Sequence, residues 1–264
     1  MSIDDLKFVE LIADDVPSKL NFLVYGDAGV GKTCLIETCP LPMVIHNFDV
    51  GGVRSISRFI SDNKDKIYLQ DFSMDDPTNP TQWKRLESSI KRLKSEGVFN
   101  RAAFYVIDSL TSLSDIRMNH LLKQAGMVGK KPNLAIYHDL QLGLRNFIQE
   151  VISLPCHTLL IAHTGVMKNE VTGEIRYMVF VSGQMELRLP LMFDELYYMQ
   201  VKETRNGIER TFVTQTTDEV KARTRAGRGI LDVRIPANIT NILDLCGYPH
   251  NPNRKEGETA PTAE

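Results

Sequence analysis

Residues Gly26-Asp27-Ala28-Gly29-Val30-Gly31-Lys32-Thr33 follow the spacing G-x-x-x-x-G-K-[ST]. These residue types at this spacing suit one chemistry, the grip of a phosphate chain. Glycines let backbone N–H groups turn inward toward phosphate oxygens, and a helix expected to start near Lys32 adds its positive end. The Lys32 ammonium is of a length to reach β- and γ-phosphates, and the Thr33 hydroxyl is a Mg²⁺ ligand. Gly26, Asp27, Ala28, Gly29, Val30, Gly31, Lys32, Thr33 and Cys34 are thus the candidate nucleotide-binding residues. A glycine-rich turn could match by chance. The flanks argue otherwise, because apolar Phe22-Leu23-Val24-Tyr25 leads in and the helix-compatible Cys34-Leu35-Ile36-Glu37-Thr38 leads out.

A phosphate grip of this kind needs a second acidic residue for the Mg²⁺ shell. Phe104-Tyr105-Val106-Ile107-Asp108 supplies one at a strand end, the Walker B pattern. The plain alternative is an aspartate that caps the next helix. Ser109 follows where a glutamate would activate water in many motors. That carboxylate must come from elsewhere, and Asp49 at the end of the second strand is the first candidate, with Asp71 as a rival; Asp49 could equally be a turn residue before Gly51-Gly52. His163, after Leu159-Leu160-Ile161-Ala162, is placed to sense a γ-phosphate, or else bonds local backbone.

The elements that must position these residues follow from periodicity. Strands are expected at Asn21–Tyr25, Met43–Phe48, Lys66–Leu69, Ala102–Ile107 and His157–Ala162, with helices between them, including Trp83–Glu96, Thr111–Gln124 and Leu134–Leu154. Unbroken apolar runs such as Ala102–Ile107 suit strands covered on both faces. Alternating strand and helix predicts an α/β doubly wound sheet, mainly parallel and flanked by helices. After His163 two antiparallel hairpins are expected, over Val166–Val181 and over Glu195–Thr216, the latter turning at Asn206-Gly207. Residues 1–20 are expected to form an N-terminal arm, 21–249 one domain, and 250–264 a polar disordered tail.

Composition agrees with a globular protein of 264 residues, 42% hydrophobic and 24% charged, with formal net charge −2. That balance advertises no nucleic acid, although a local basic strip suffices for binding. The cysteines Cys34, Cys39, Cys156 and Cys246 form no C-x-x-C pair, which fits reduced thiols in a cytoplasmic protein. The first residues carry no apolar leader, and no run is long enough to span a membrane.

The order of phosphate loop, Asp49 loop, Ile107-Asp108-Ser109, Leu160-Ile161-Ala162-His163 and Leu189-Pro190-Leu191-Met192-Phe193-Asp194-Glu195 resembles the RecA-like P-loop ATPase core, most closely the small phage ATPases of the AAA_24 type. That group includes RecA-like phage single-strand annealing recombinases. The resemblance spans roughly residues 20–230 and implies ATP and Mg²⁺ as ligands, single-stranded DNA as partner, a homo-oligomeric ring or filament, and residence in the host bacterial cytoplasm. One departure bears on catalysis. Relatives often end strand two in Asp-Thr-Glu-Gly, whereas Phe48-Asp49-Val50-Gly51 puts Val50 at the glutamate position, so ATP binding is better supported than fast turnover.

By likeness, DNA would lie on two loops, one carrying Lys130 and Lys131 and the other Lys168 and Arg176, where cations neutralise phosphates without reading sequence. A solvated hairpin tip explains the same charges. Tyr177 or Phe180 could stack on a base or belong to the core. Lys221, Arg223 and Arg225 alternate, so on a strand they share a face; in the likeness an arginine there reaches the neighbouring subunit's γ-phosphate, while the rivals are a DNA-phosphate contact and a salt-bridged edge strand. The catalytic candidates are then Lys32, Asp49, His163 and Arg223. The functions compatible with the sequence are a DNA-recombination ATPase, an accessory motor such as a helicase, helicase loader or packaging-type ATPase, and a nucleotide-gated protein-binding module. A single-strand-binding protein is a further candidate partner, for the tail.

Overall fold

The apolar runs have a simple cause: each central strand has a hydrophobic layer on both sides. Along β1 (Asn21–Gly26) Leu23 and Tyr25 enter one core while Phe22 and Val24 enter the other. β4 (Phe104–Asp108) repeats the alternation, with Tyr105 and Ile107 on one face and Phe104 and Val106 on the other. The computed structural model describes residues 18–168, 173–181, 185–205 and 207–254.

The remaining strands are β2 (Met43–Asn47), β3 (Ile67–Asp71), β5 (His157–Lys168), β6 (Ile175–Val179), β7 (Glu195–Thr204), β8 (Gly207–Val213) and β9 (Arg234–Pro236). They run in the order β3-β2-β4-β5-β1-β7-β8-β9, with β6 attached to the outer half of β5. Every pairing from β3 to β7 is parallel, whereas β7–β8, β8–β9 and β5–β6 are antiparallel. The mainly parallel sheet flanked by helices, with antiparallel strands at its carboxyl-terminal edge, is the expected α/β arrangement.

One face is covered by α2 (Gln82–Ser95), α3 (Leu110–Gln124) and α4 (Leu134–Ile152). In α2 the residues Trp83, Leu86, Ile90 and Leu93 are buried, the three- and four-residue spacing of a one-sided helix. Asn133 caps α4 by accepting from the Ile136 N–H. The other face carries α6 (Ile239–Cys246), capped by Asn238 and ended by Gly247 in the left-handed region, together with the short α1 (Ser57–Asp62). A single turn, α5 (Met185–Arg188), precedes β7.

Residues 250–254, expected as the start of a tail, are tied to the body: Asn253 Nδ2 donates to the carbonyls of Phe99 (3.1 Å) and Ala102 (2.9 Å). The rest of that segment, 255–264, and most of the expected arm, 1–17, lie outside the described residues. Among the described residues no helix is long and apolar enough to cross a membrane, and all four cysteines are free thiols.

Candidate functional site

The parallel strands bring their carboxyl ends to one rim. Gly26 pairs with His163 of β5 and Met199 of β7, while Asp108 pairs with Asn47 of β2 and Ile161 of β5. β5 lies between the strand that launches the phosphate loop and the strand that ends in Asp108, so His163 stands between the two. Gly26 is required by close packing, since an added Cβ would come within 2.5 Å of the Met199 carbonyl oxygen.

Lys32 is 7% exposed, and its ammonium donates to the Gly26 and Asp27 carbonyls, both at 2.8 Å. Burial pulls its pKa down, against the nearby carboxylates of Asp108, Asp49 and Asp27. The helix expected after the loop is a five-residue 3-10 turn, Cys34–Thr38, rather than an α-helix. Pro40 and Pro42 follow at once, and Leu35 and Ile36 are drawn into the core, so no longer helix can form. A turn this short builds little macrodipole. What the loop itself offers a phosphate is therefore its N–H groups and the Lys32 charge rather than a helix dipole.

Thr33 Oγ1 donates to Asp108 Oδ2 at 2.7 Å. Asp108 is 1% exposed, and burial pushes its pKa up to about 6, with Asp49 adding to the rise and the Thr33 hydrogen bond and Lys32 opposing it. The helix-cap alternative is resolved in favour of the neighbour: the Ser109 hydroxyl accepts from the Ser112 N–H and caps α3. The Asp108 carboxylate is thus left facing Thr33. A hydroxyl and a carboxylate at this spacing are the hard oxygen donors Mg²⁺ takes, the remainder of its shell being water and phosphate. No group of three or more His, Cys, Asp or Glu able to hold a metal occurs among the described residues, and a phosphate-bound Mg²⁺ needs none.

Asp49 lies on the same rim. Its Oδ1 accepts from Ser109 Oγ (2.8 Å) and from Ser112 Oγ, and its Oδ2 is 3.3 Å from His163 Nε2. Burial raises the Asp49 pKa, but the hydrogen bonds from His163, Ser112 and Ser109 together outweigh it and hold the group below its ordinary value. Val50 is 76% exposed, so the position that carries a glutamate in the resemblance points away. The rival Asp71 is spent on Asn47 Nδ2 (3.0 Å) and the Ser73 N–H (2.9 Å), outside the cavity of about 320 Å³ that Lys32, Thr33, Asp49, Asp108 and His163 line. His163 is not at a strand tip. β5 continues to Lys168 and pairs with β6 from Thr164↔Val179 to Lys168↔Ile175, because the apolar run ends before the hydrogen-bonded ladder does. Its ring faces Asp49, while its backbone N–H donates to Thr111 Oγ1 and its carbonyl accepts from the Phe180 N–H.

Sequence reasoning missed Arg210. This β8 residue reaches across β7 to the phosphate loop, where its Nε donates to the Val30 carbonyl at 3.1 Å, and it lines the same cavity. Its register on the second hairpin is the only sequence signal that could have indicated it.

Other candidates scatter. Lys221, Arg223 and Arg225 do not form a strand. Arg223 makes one antiparallel bridge with Leu196, and Thr216 Oγ1 bonds both the N–H and the carbonyl of Ala222, which pins the segment as irregular backbone. Arg225 is paired with Asp194 at 2.7 Å, at the amino-terminal ends of β1 and β7, the end opposite the phosphate loop. Lys130, Lys131, Lys168 and Arg176 are exposed, the first two on the α3–α4 connection and the last two on the β5–β6 hairpin. Of the two aromatics, Tyr177 stacks on Tyr198 (5.8 Å between centroids) within the body, whereas Phe180 is 57% exposed.

Among curated proteins none matches the chain. Solved structures similar to it include the KaiC-like protein of the hyperthermophilic archaeon Pyrococcus horikoshii OT3, with 14% identity, coverage of 82% of this chain and 84% of that one, and a TM-score of 0.44. The family described as AAA domain, AAA_24, matches residues 18–226. Its span takes in the phosphate loop, Asp49, Asp108, His163 and Arg210, and the chain belongs to the AAA_24 family.

Proposed function

We propose that this AAA_24 P-loop protein binds ATP with Mg²⁺, hydrolyses it slowly, and uses the bound state to hold single-stranded DNA for annealing or strand pairing as a self-associated assembly. The observation that carries the nucleotide part is the 2.7 Å contact between Thr33 Oγ1 and Asp108 Oδ2 beside the buried Lys32. Lys32 neutralises β- and γ-phosphate charge by giving up the Gly26 and Asp27 carbonyls. Thr33 and Asp108 would hold Mg²⁺, which supplies charge neutralisation on the phosphate oxygens. Slow turnover is supported by Asp49, whose oxygens accept from three side chains and whose pKa is held low, a poor acceptor for a water proton. Asp49 then serves to orient His163. The DNA part is supported by the exposed cations of two connections and by Phe180, whose N–H bonds the His163 carbonyl.

Calorimetry with ATP and Mg²⁺, followed by ATPase assays with and without single-stranded DNA, tests this. Binding, low basal turnover and DNA stimulation are expected, with annealing of complementary strands and no unwinding. A folded sample that shows no heat with ATP and Mg²⁺ in any assembly state refutes the proposal. Turnover indifferent to DNA replaces the DNA part with a nucleotide-gated protein-binding module. Arg223→Ala is expected to lower turnover only in assemblies; full turnover there removes it from the inter-subunit role.

A further inference from the structure

A cation from the second hairpin is interlocked with the phosphate loop. Arg210 pairs with Val201 in the β7–β8 ladder, two residues beyond Met199, the partner of Gly26, so it stands just above the rim where β1 ends. Its own backbone is fixed on the far side by the Ala237 N–H, which donates to the Arg210 carbonyl. The side chain crosses to the loop and donates from Nε to the Val30 carbonyl. The fit is close: Gly31 has φ +96°, and a Cβ there would lie 2.4 Å from Arg210 Nε. Only a glycine at position 31 leaves room for the guanidinium to lie across the loop.

The placement is not that of an ordinary surface ion pair. Arg210 makes no salt bridge among the described residues, although Glu209 is its chain neighbour and Asp49 and Asp108 line the same cavity. One Nε–H is used on a carbonyl, and the two terminal nitrogens of a guanidinium retain four further N–H donors in a planar fork that matches a phosphate. Lys32, the other cation of the cavity, donates to the Gly26 and Asp27 carbonyls. The two cations therefore hold different carbonyls of the loop, Lys32 at its start and Arg210 at Val30, while Asp49 and His163 group beside Asp108.

We propose that Arg210 is a phosphate-binding residue supplied from within the same chain, gripping the part of the phosphate chain that ATP and ADP share. The inference rests on the nucleotide reading above and adds to it a second cation and a reason for the β7–β8 hairpin to return over the loop. Because the contact is to the shared phosphates, it strengthens binding of both nucleotides without distinguishing them. The bond to Val30 holds the guanidinium ready beforehand, which limits the entropy lost when the ligand arrives.

The test uses the full chain and calorimetric binding of ATP and of ADP, each with Mg²⁺, over a range of salt concentrations. Arg210→Gln keeps an N–H donor and loses the charge; Arg210→Lys keeps the charge. Arg210→Gln is expected to weaken ATP and ADP alike by about tenfold and to flatten the salt dependence of both, while Arg210→Lys recovers much of the loss. Arg210→Gln affinities within twofold of wild type overturn the proposal. A loss in Arg210→Gln with unchanged salt dependence also overturns it, because it identifies a structural hold on the loop alone. A loss confined to ATP overturns the assignment to the shared phosphates. If the wild-type chain binds neither nucleotide, this inference falls together with the nucleotide reading; if it binds both and Arg210→Gln matches it, this inference falls alone.

Discussion

The two ends of the parallel sheet are built from the same strands and treat polar groups in opposite ways. At the amino ends of β1, β5 and β7 the buried and half-buried polar side chains close on neighbours in the protein. Asp194 Oδ2 accepts from the N–H and Nδ2 of Asn21, and its Oδ1 pairs with Arg225. Buried Glu195 accepts from Tyr197 Oη (2.6 Å) and the Arg225 N–H. His157 accepts from the Leu20 N–H at Nδ1 and donates from Nε2 to the Pro249 carbonyl, which sets a neutral tautomer. At the carboxyl end Lys32, Asp49, Asp108 and His163 converge on one cavity with competing demands, so that Asp108 is pushed up and Lys32 down. The amino rim spends its polarity on stability. The carboxyl rim keeps polarity in reserve for a ligand, the usual division in open α/β sheets.

That division can be broken experimentally. The largest expected effect is Lys32→Ala: ATP affinity should fall by more than about a hundredfold, while the melting temperature holds or rises, because the lysine is desolvated. Loss of folding instead would show that the carboxyl rim also carries stability. Asp194→Ala should do the reverse, lowering the unfolding free energy in denaturant by about 2 kcal/mol through stranded Asn21 and Arg225 donors, with ATP affinity within twofold of wild type.

The pH dependence comes next. Burial pushes the His157 pKa down to about 4, below that of an unfolded histidine. The unfolded chain therefore binds a proton first as pH falls. The His157 contribution is intact above about 6.5 and is lost between there and about 4, which amounts to about 2 kcal/mol at pH 5. His46, pushed down to about 3 by burial, acts in the same direction. In His157→Gln the loss of stability between pH 7 and pH 5, read by denaturant titration, should be smaller; an unchanged loss would move the acid sensitivity to another group. The smallest effect belongs to the exposed loops. Lys130→Ala or Lys168→Ala should weaken single-stranded DNA binding by about threefold and lower the salt slope by about 0.7 each. Binding that ignores both would clear those connections of DNA.

The sheet and the meeting of the phosphate loop with Asp108 were legible because their causes are local. Two-sided burial writes continuous apolar runs, and the glycine spacing and Asp108 each sit at the end of such a run. What escaped depends on three-dimensional register. Arg210 reaches Val30 only because β8 pairs with β7 in one frame. The alternating cations of Lys221–Arg225 suggested a strand, but Tyr25 Oη donates to the Lys221 carbonyl and Thr216 holds Ala222, contacts made with distant parts of the chain. The short turn after Thr33 was masked by helix-forming residues whose extension is cut off by Pro40 and Pro42.

The imidazole of His157 has a practical consequence for handling the protein. One ring touches both Leu20 and Pro249, so the first and last described segments lie side by side, at the amino ends of the parallel strands and away from the phosphate loop. A fluorophore or surface tether attached at residue 18 or residue 254 would start from that pole, away from the phosphate loop. A circular permutant closed at this pole should keep residues 250–254, because Asn253 ties them to Phe99 and Ala102.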